Sequence, residues 1–193
     1  RTTFRTMKKP DKTLKVTEDY FNQALKHDKD FGIIYKDLSN LYFFLGKEDK
    51  IAEYLTKAMS LSYKYPEPIL YDIKSYYFSS IEKNTEKVIR LYELWVKIQP
   101  HNIKAHKELA SHYCNAQQNW DKAIKEYLII LNMDPSNLGI VLNIVDVYAI
   151  QNNFKAAEKL LKDYSNNHAD NYLPYFYLGE LYEKMGELEK AKE

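Results

Sequence analysis

The chain has 193 residues, of which 45% are hydrophobic and 28% charged, and its formal net charge is +1. That charge gives no overall attraction to nucleic acid or to an acidic membrane surface, and the single cysteine, Cys114, excludes an intramolecular disulfide framework and any multi-cysteine metal site. Five Gly and six Pro are few for this length while 18 Tyr are many, a profile that suits helices with half-buried faces.

The N-terminus carries a basic cluster (Arg1, Arg5, Lys8, Lys9, Lys12, Lys15), read as a solvated helix face. Segment 10–31 follows, "PDKTLKVTEDYFNQALKHDKDF", in which Phe21, Ala24 and Leu25 make an amphipathic stripe. Beyond it one pattern recurs at spacing i, i+3, i+4, i+7, which is one face of a helix. It reads Tyr35, Leu38, Ser39, Tyr42, then Leu70, Ile73, Lys74, Tyr77, then His106, Leu109, Ala110, Tyr113. It continues as Val141, Ile144, Val145, Tyr148 and ends as Tyr175, Leu178, Gly179, Tyr182. The closing tyrosines lie 35, 36, 35 and 34 residues apart.

Short polar turns follow each stripe: "LGKEDK", "EKNTEK", "QQNWDK", "QNNFKA" and "MGELEK". After each complete turn a second amphipathic helix is predicted. Its stripe is Ile51, Leu55, Ala58, Met59, then Val88, Tyr92, Trp95, Val96. The next two read Ala123, Tyr127, Ile130, Leu131, then Ala157, Leu161, Tyr164. "YPEP" at 65–68, "QPHN" at 99–102 and "DPSN" at 134–137 close several units, since proline ends a helix and Ser or Asn caps the next.

The sequence holds no constellation that would do chemistry. The histidines at 27, 101, 106, 112 and 168 make no ligand set, and His106 lies on a packing stripe, where a satisfied core histidine is expected. Trp95 and Trp120 read as packing and turn residues. There is no Gly-rich phosphate loop, no His-Glu-x-x-His and no nucleophile elbow, so no enzyme activity and no cofactor are expected. The longest apolar run, "GIVLNIVDVYAI" at 139–150, is interrupted by Asn143 and Asp146, so no membrane contact is expected of this segment. A cytoplasmic location is favoured by the lone cysteine. The chain begins at Arg1, so it is expected to be part of a longer protein.

A unit of about 34 residues, built from two antiparallel helices with a small residue early in the second, resembles the tetratricopeptide repeat. "YFYLGELYEKMGELEKA" matches the family pattern closely, with Tyr175 where Trp is commonest. Lys74 departs from it, standing where a small residue is usual, and the second and third turns carry an extra one or two residues. The resemblance implies an all-α, right-handed solenoid of antiparallel helix pairs. The array divides into partial lead-in helices at 1–31, then repeats 32–66, 67–102, 103–137 and 138–171, then a truncated repeat 172–193. Small residues such as Ala110, Ala123, Ala157 and Gly179 are expected at close helix approaches.

In the family the first helix of each unit lines a concave groove, and the residues beside the packing stripe face it. On that basis the candidates are Ile33, Lys36, Asn40 and Phe43 in the first full unit and Tyr71 and Phe78 in the second. The third offers Lys104, Lys107, Ser111 and Asn115, the fourth Leu142, Asp146 and Ala149, and the last Phe176, Glu180 and Glu183. The basic candidates come early and the acidic ones late. The implied function is a non-catalytic scaffold that binds a peptide or partner protein, with no nucleic acid partner for this segment. Chaperone-binding members grip a peptide carboxylate with a Lys and an Asn four residues apart; Lys36 and Asn40 match that pair, and Lys104 matches a later lysine. Asp72, or Lys74 in the alternative register, stands where the next Asn belongs, and Glu108 where a base belongs, so a complete clamp is not expected. The alternative is a regulatory or sensor segment of a larger bacterial signalling protein, such as a cyclase, kinase or transcription regulator. Self-association through the array ends is a third reading.

Overall fold

In a computed structural model, which describes residues 12–187 and 189–191, the secondary structure is helical throughout. The helices are α1 (Lys12–His27), α2 (Gly32–Phe44), α3 (Glu48–Ser60), α4 (Glu67–Ser80) and α5 (Thr85–Ile98). They continue as α6 (Ile103–Gln117), α7 (Trp120–Met133), α8 (Leu138–Ile150), α9 (Phe154–Asn167) and α10 (Leu173–Met185). A single 3₁₀ turn, Ser62–Lys64, follows α3. Three of the expected pairs are seen: α2 packs on α3, α6 on α7 and α8 on α9. Neighbouring pairs are joined by α1 on α2, α3 on α4, α7 on α8 and α9 on α10. The fold is all-α, of the stacked helix-pair or α-solenoid class. Arg1, Arg5, Lys8 and Lys9 lie outside the described residues.

Local chemistry explains where the helices start and stop. Asn102, Asn119, Asn137 and Asn153 accept hydrogen bonds from the backbone N–H groups of Ala105, Lys122, Ile140 and Ala156, capping α6, α7, α8 and α9. The turn inside every unit holds one residue in the left-handed region: Gly46, Lys83, Gln118, Asn152 and Gly186. Glycine takes that conformation at no steric cost, whereas Lys and Gln do not. The residue after each one donates its N–H back to the end of the preceding helix. Lys47, Asn119, Asn153 and Glu187 donate to the carbonyls of Tyr42, Tyr113, Tyr148 and Tyr182, and Asn84 donates to Phe78. This satisfies carbonyls that the helix end would otherwise orphan. The left-handed residue falls four positions after the closing tyrosine in three units, six in the second and five in the third, which are the extra turn residues expected there.

The chain forms two compact units, residues 1–91 and 92–193. In the first, Ile34, Leu38, Leu41 and Tyr42 of α2 pack with Phe21, Ala24 and Leu25 of α1 and with Ile51 and Tyr54 of α3. The Tyr54 ring stacks on Tyr42 at 5.4 Å and on Tyr35 at 6.2 Å. In the second, Val141, Val145, Ala157, Leu161, Tyr164, Leu178, Leu181 and Tyr182 form one cluster across α8, α9 and α10. Ala110, Ala123 and Ala157 are fully buried, as close helix approach requires.

Two packing expectations are corrected. Among the described residues a Cβ on Gly179 would come nearest the Ala191 carbonyl, at an ordinary 3.6 Å, so none of them forces glycine there by a close approach. Tyr175, expected on the stripe, is 54% exposed. Tyr35, its counterpart in the first full unit, is half-buried because the ring rests on Tyr54 of α3.

Candidate functional site

The first helix of each unit carries the candidate residues, beside the buried stripe. On α2, Leu38 and Ser39 are fully buried, while Ile33, Lys36 and Asn40 are half-exposed and Phe43 is 61% exposed. Phe43 meets Phe44 edge-on at 6.0 Å, and Phe44 is exposed too. Asp37, next to Lys36, is held above the usual carboxylate range by burial, with the Lys36 ammonium pulling the other way. On α4, Phe78 is half-exposed beneath the Lys87 ammonium at 5.4 Å. Tyr71 does not join it: the side chain is only 6% exposed and packs in the core, so it is withdrawn as an open-face residue.

On α6, Lys104, Lys107 and Asn115 are exposed and Ser111 is half-exposed, with Asn115 donating to the Ser111 hydroxyl at 3.2 Å. Lys104 reaches over the Trp95 ring at 6.0 Å. On α8, Leu142 and Ala149 are half-buried and Asp146 is exposed. On α10, Phe176 is 57% exposed and Glu180 and Glu183 are exposed along the same face. The candidates of the second unit therefore shift from basic on α6 to apolar and acidic on α8 and α10.

The potentially reactive groups are used for packing. His106 is 4% exposed; Nδ1 lies 2.6 Å from the Glu126 carboxylate and Nε2 lies 3.0 Å from the Pro100 carbonyl. A carboxylate and a backbone carbonyl thus hold the two ring nitrogens in place. Burial pushes the Cys114 thiol up, away from thiolate formation, with a hydrogen bond to Tyr127 opposing. Burial, with Cys114, Glu108 and Asp146 nearby, pushes the Tyr127 phenol up to about 12. Among the described residues no group of three or more His, Cys, Asp or Glu could hold a metal ion. The recesses in the surface are open; one of about 460 Å³ is lined by Asn167 to Tyr172, and neither it nor a second, at Asp121, Ile124, Lys125, Tyr148, Gln151 and Asn153, includes a candidate residue. No described helix is long and apolar enough to cross a membrane.

No family model matches the sequence, and no curated protein matches it. Solved structures do. A tetratricopeptide repeat protein from Parabacteroides merdae superposes with a TM-score of 0.63 at 18% identity, over 93% of this chain and 70% of that one. The chain has the tetratricopeptide-repeat fold. PilW, a type IV pilus biogenesis factor, superposes on this repeat fold with a TM-score of 0.68 at 13% identity, covering 93% of this chain and 81% of its own. YrrB, described as a tetratricopeptide repeat protein with an unusual peptide-binding site, gives 0.56 at 16% identity, covering 84% and 81%.

The repeat frame explains features that the candidate set missed. Three closing tyrosines are tied to a carboxylate on the preceding second helix: Tyr42 donates to Glu18, Tyr113 to Glu93 at 2.7 Å and Tyr182 to Glu158 at 2.8 Å. The signal was present as a glutamate 20 or 24 residues before each tyrosine. Gly32 is the other: a Cβ there would lie 1.4 Å from the Tyr65 hydroxyl.

Proposed function

We propose that the chain is a non-catalytic interaction scaffold that takes a peptide segment of a partner protein along the exposed face of its first helices. One observation carries this. Across α2, α6, α8 and α10 one aliphatic position, Leu38, Leu109, Ile144 and Leu178, stays buried, while the residues beside the stripe are exposed or half-exposed and change in chemistry from unit to unit. A frame that holds its packing positions and frees the adjacent ones suits recognition. The likeness to YrrB, whose description names a peptide-binding site, supports a peptide ligand. The half-exposed Lys36 and Asn40, four residues apart on α2, offer an ammonium and an amide on one helix face for a peptide's polar groups.

The test is a pull-down with the Lys36→Glu, Lys107→Glu double variant. Both side chains reach solvent, so helicity by circular dichroism should be unchanged. Partner capture should fall. Unchanged capture by a normally folded double variant would contradict the reading.

A further inference from the structure

On the second helices some carboxylates are paired one turn away: Glu53 bonds Lys50 and Lys57, Glu86 bonds Arg90, and the half-buried Glu158 bonds Lys162. Others there, such as Asp121 and Asp163, are exposed and in no ion pair among the described residues. Asp146 on α8 and Glu180 and Glu183 on α10 belong to the first helices of their units. They are exposed and take part in no ion pair among the described residues, although Lys184 lies one turn beyond Glu180.

Each helix also places an apolar side chain one turn before its carboxylate on the same face. On α8 it is Leu142 before Asp146; on α10 it is Phe176 before Glu180, with Glu183 one turn further. Leu142 packs against the core cluster that joins α8 to α10, so the two ladders rise from one packed body. An apolar surface one turn below an unpaired carboxylate fits a side chain with an aliphatic stem and a cationic head. The stem lies on Leu142 or on the Phe176 ring, and the head meets the carboxylate. On α6 the corresponding surface carries Lys104 and Lys107, which repel such a residue.

We propose that the α8–α10 face binds a partner peptide in which lysine or arginine alternates with apolar residues. This rests on the peptide-binding reading above and adds the chemistry of the ligand. Charge complementarity selects the occupant: an acidic segment would place its carboxylates against Asp146, Glu180 and Glu183.

The experiment uses the whole chain and three fluorescein-labelled peptides of equal length, read by fluorescence anisotropy. One alternates lysine with leucine, one glutamate with leucine, and one lysine with serine. The lysine–leucine peptide is expected to bind most tightly. The Asp146→Asn, Glu180→Gln double variant should weaken it by about tenfold, and Phe176→Ala should weaken it separately. These three side chains are exposed or half in solvent, and circular dichroism confirms that each variant stays folded. Tighter binding of glutamate–leucine overturns the proposal and leaves the groove reading standing. Equal binding of lysine–serine reduces the effect to bulk charge and also overturns it. Binding of none of the three overturns the proposal, and the groove reading then stands or falls by the pull-down alone.

Discussion

Gly32 and Tyr65 show how one residue pair constrains the first unit. The Tyr65 hydroxyl fills the space that a side chain on residue 32 would need, and it is buried with no hydrogen-bond partner among the described residues. Burial pushes its phenol up to about 12. Gly32→Ala should therefore destabilise the chain by about 1–3 kcal/mol through overpacking, measured by urea unfolding. Tyr65→Phe removes an unsatisfied buried oxygen and should be neutral or stabilising. Combined with Gly32→Ala it should recover part of the loss, because the colliding atom is gone; additive costs would contradict the account. His112 offers a test of pH dependence. Burial holds its imidazole below the usual value of 6.5, with Glu108 opposing, and the ring stacks on Tyr92 at 5.3 Å. The folded chain thus favours the neutral ring. Its contribution is present above the unfolded value of about 6.5 and is lost as pH falls through the depressed folded value. Melting temperature should fall on acidification below about pH 6.5, and His112→Phe should flatten that fall.

At the scale of the element, the turns carry strain that substitution can relieve. Lys83 and Gln118 hold φ of 50°, where a side chain collides with its own backbone. Lys83→Gly and Gln118→Gly should each raise stability by about 0.5–1 kcal/mol, the steric relief exceeding the added unfolded-state entropy. Asn152 tolerates the left-handed region better, so Asn152→Gly should gain less. The tyrosine ties act in the opposite sense. Tyr113→Phe, which frees Glu93, should cost about 1 kcal/mol and lower the melting temperature by about 2–4 °C. A Tyr113→Phe variant as stable as the wild type would show that the bond adds nothing.

These elements differ in how plainly the sequence announces them. The asparagine caps, the prolines and the stripes of α2, α6 and α8 are visible because each is a residue type tied to a backbone need. The left-handed turn residues at 83 and 118 are not, since Lys and Gln carry no such signature and both sit further past the closing tyrosine than Gly46, Asn152 and Gly186 do. α4 is the hardest helix to orient. Leu70, Tyr71, Ile73, Tyr76, Tyr77 and Phe78 spread apolar area around most of its circumference, so periodicity does not choose a face. Tyr71 and Ile73 are the two that turn inward, whereas register alone places Tyr71 on the open side. Tyr175 shows the reverse: its place in the stripe is legible, but its burial depends on a partner ring such as the one Tyr54 gives Tyr35.

For the whole molecule, the repeat sets the frame and the residues beside the stripe set the specificity. The fold class was legible because five copies of one pattern reinforce each other, whereas ligand chemistry sits in side chains that vary between copies and only burial separates them from the core. The second helices α5 and α7 also expose apolar side chains, Leu94, Ile98, Leu128 and Ile129, and these are the natural competitor for a partner. Amide chemical-shift mapping during titration with the lysine–leucine peptide decides between the two faces. The account predicts perturbations centred on Leu142, Asp146, Phe176 and Glu180. Perturbations centred instead on Leu94, Ile98, Leu128 and Ile129 would contradict it.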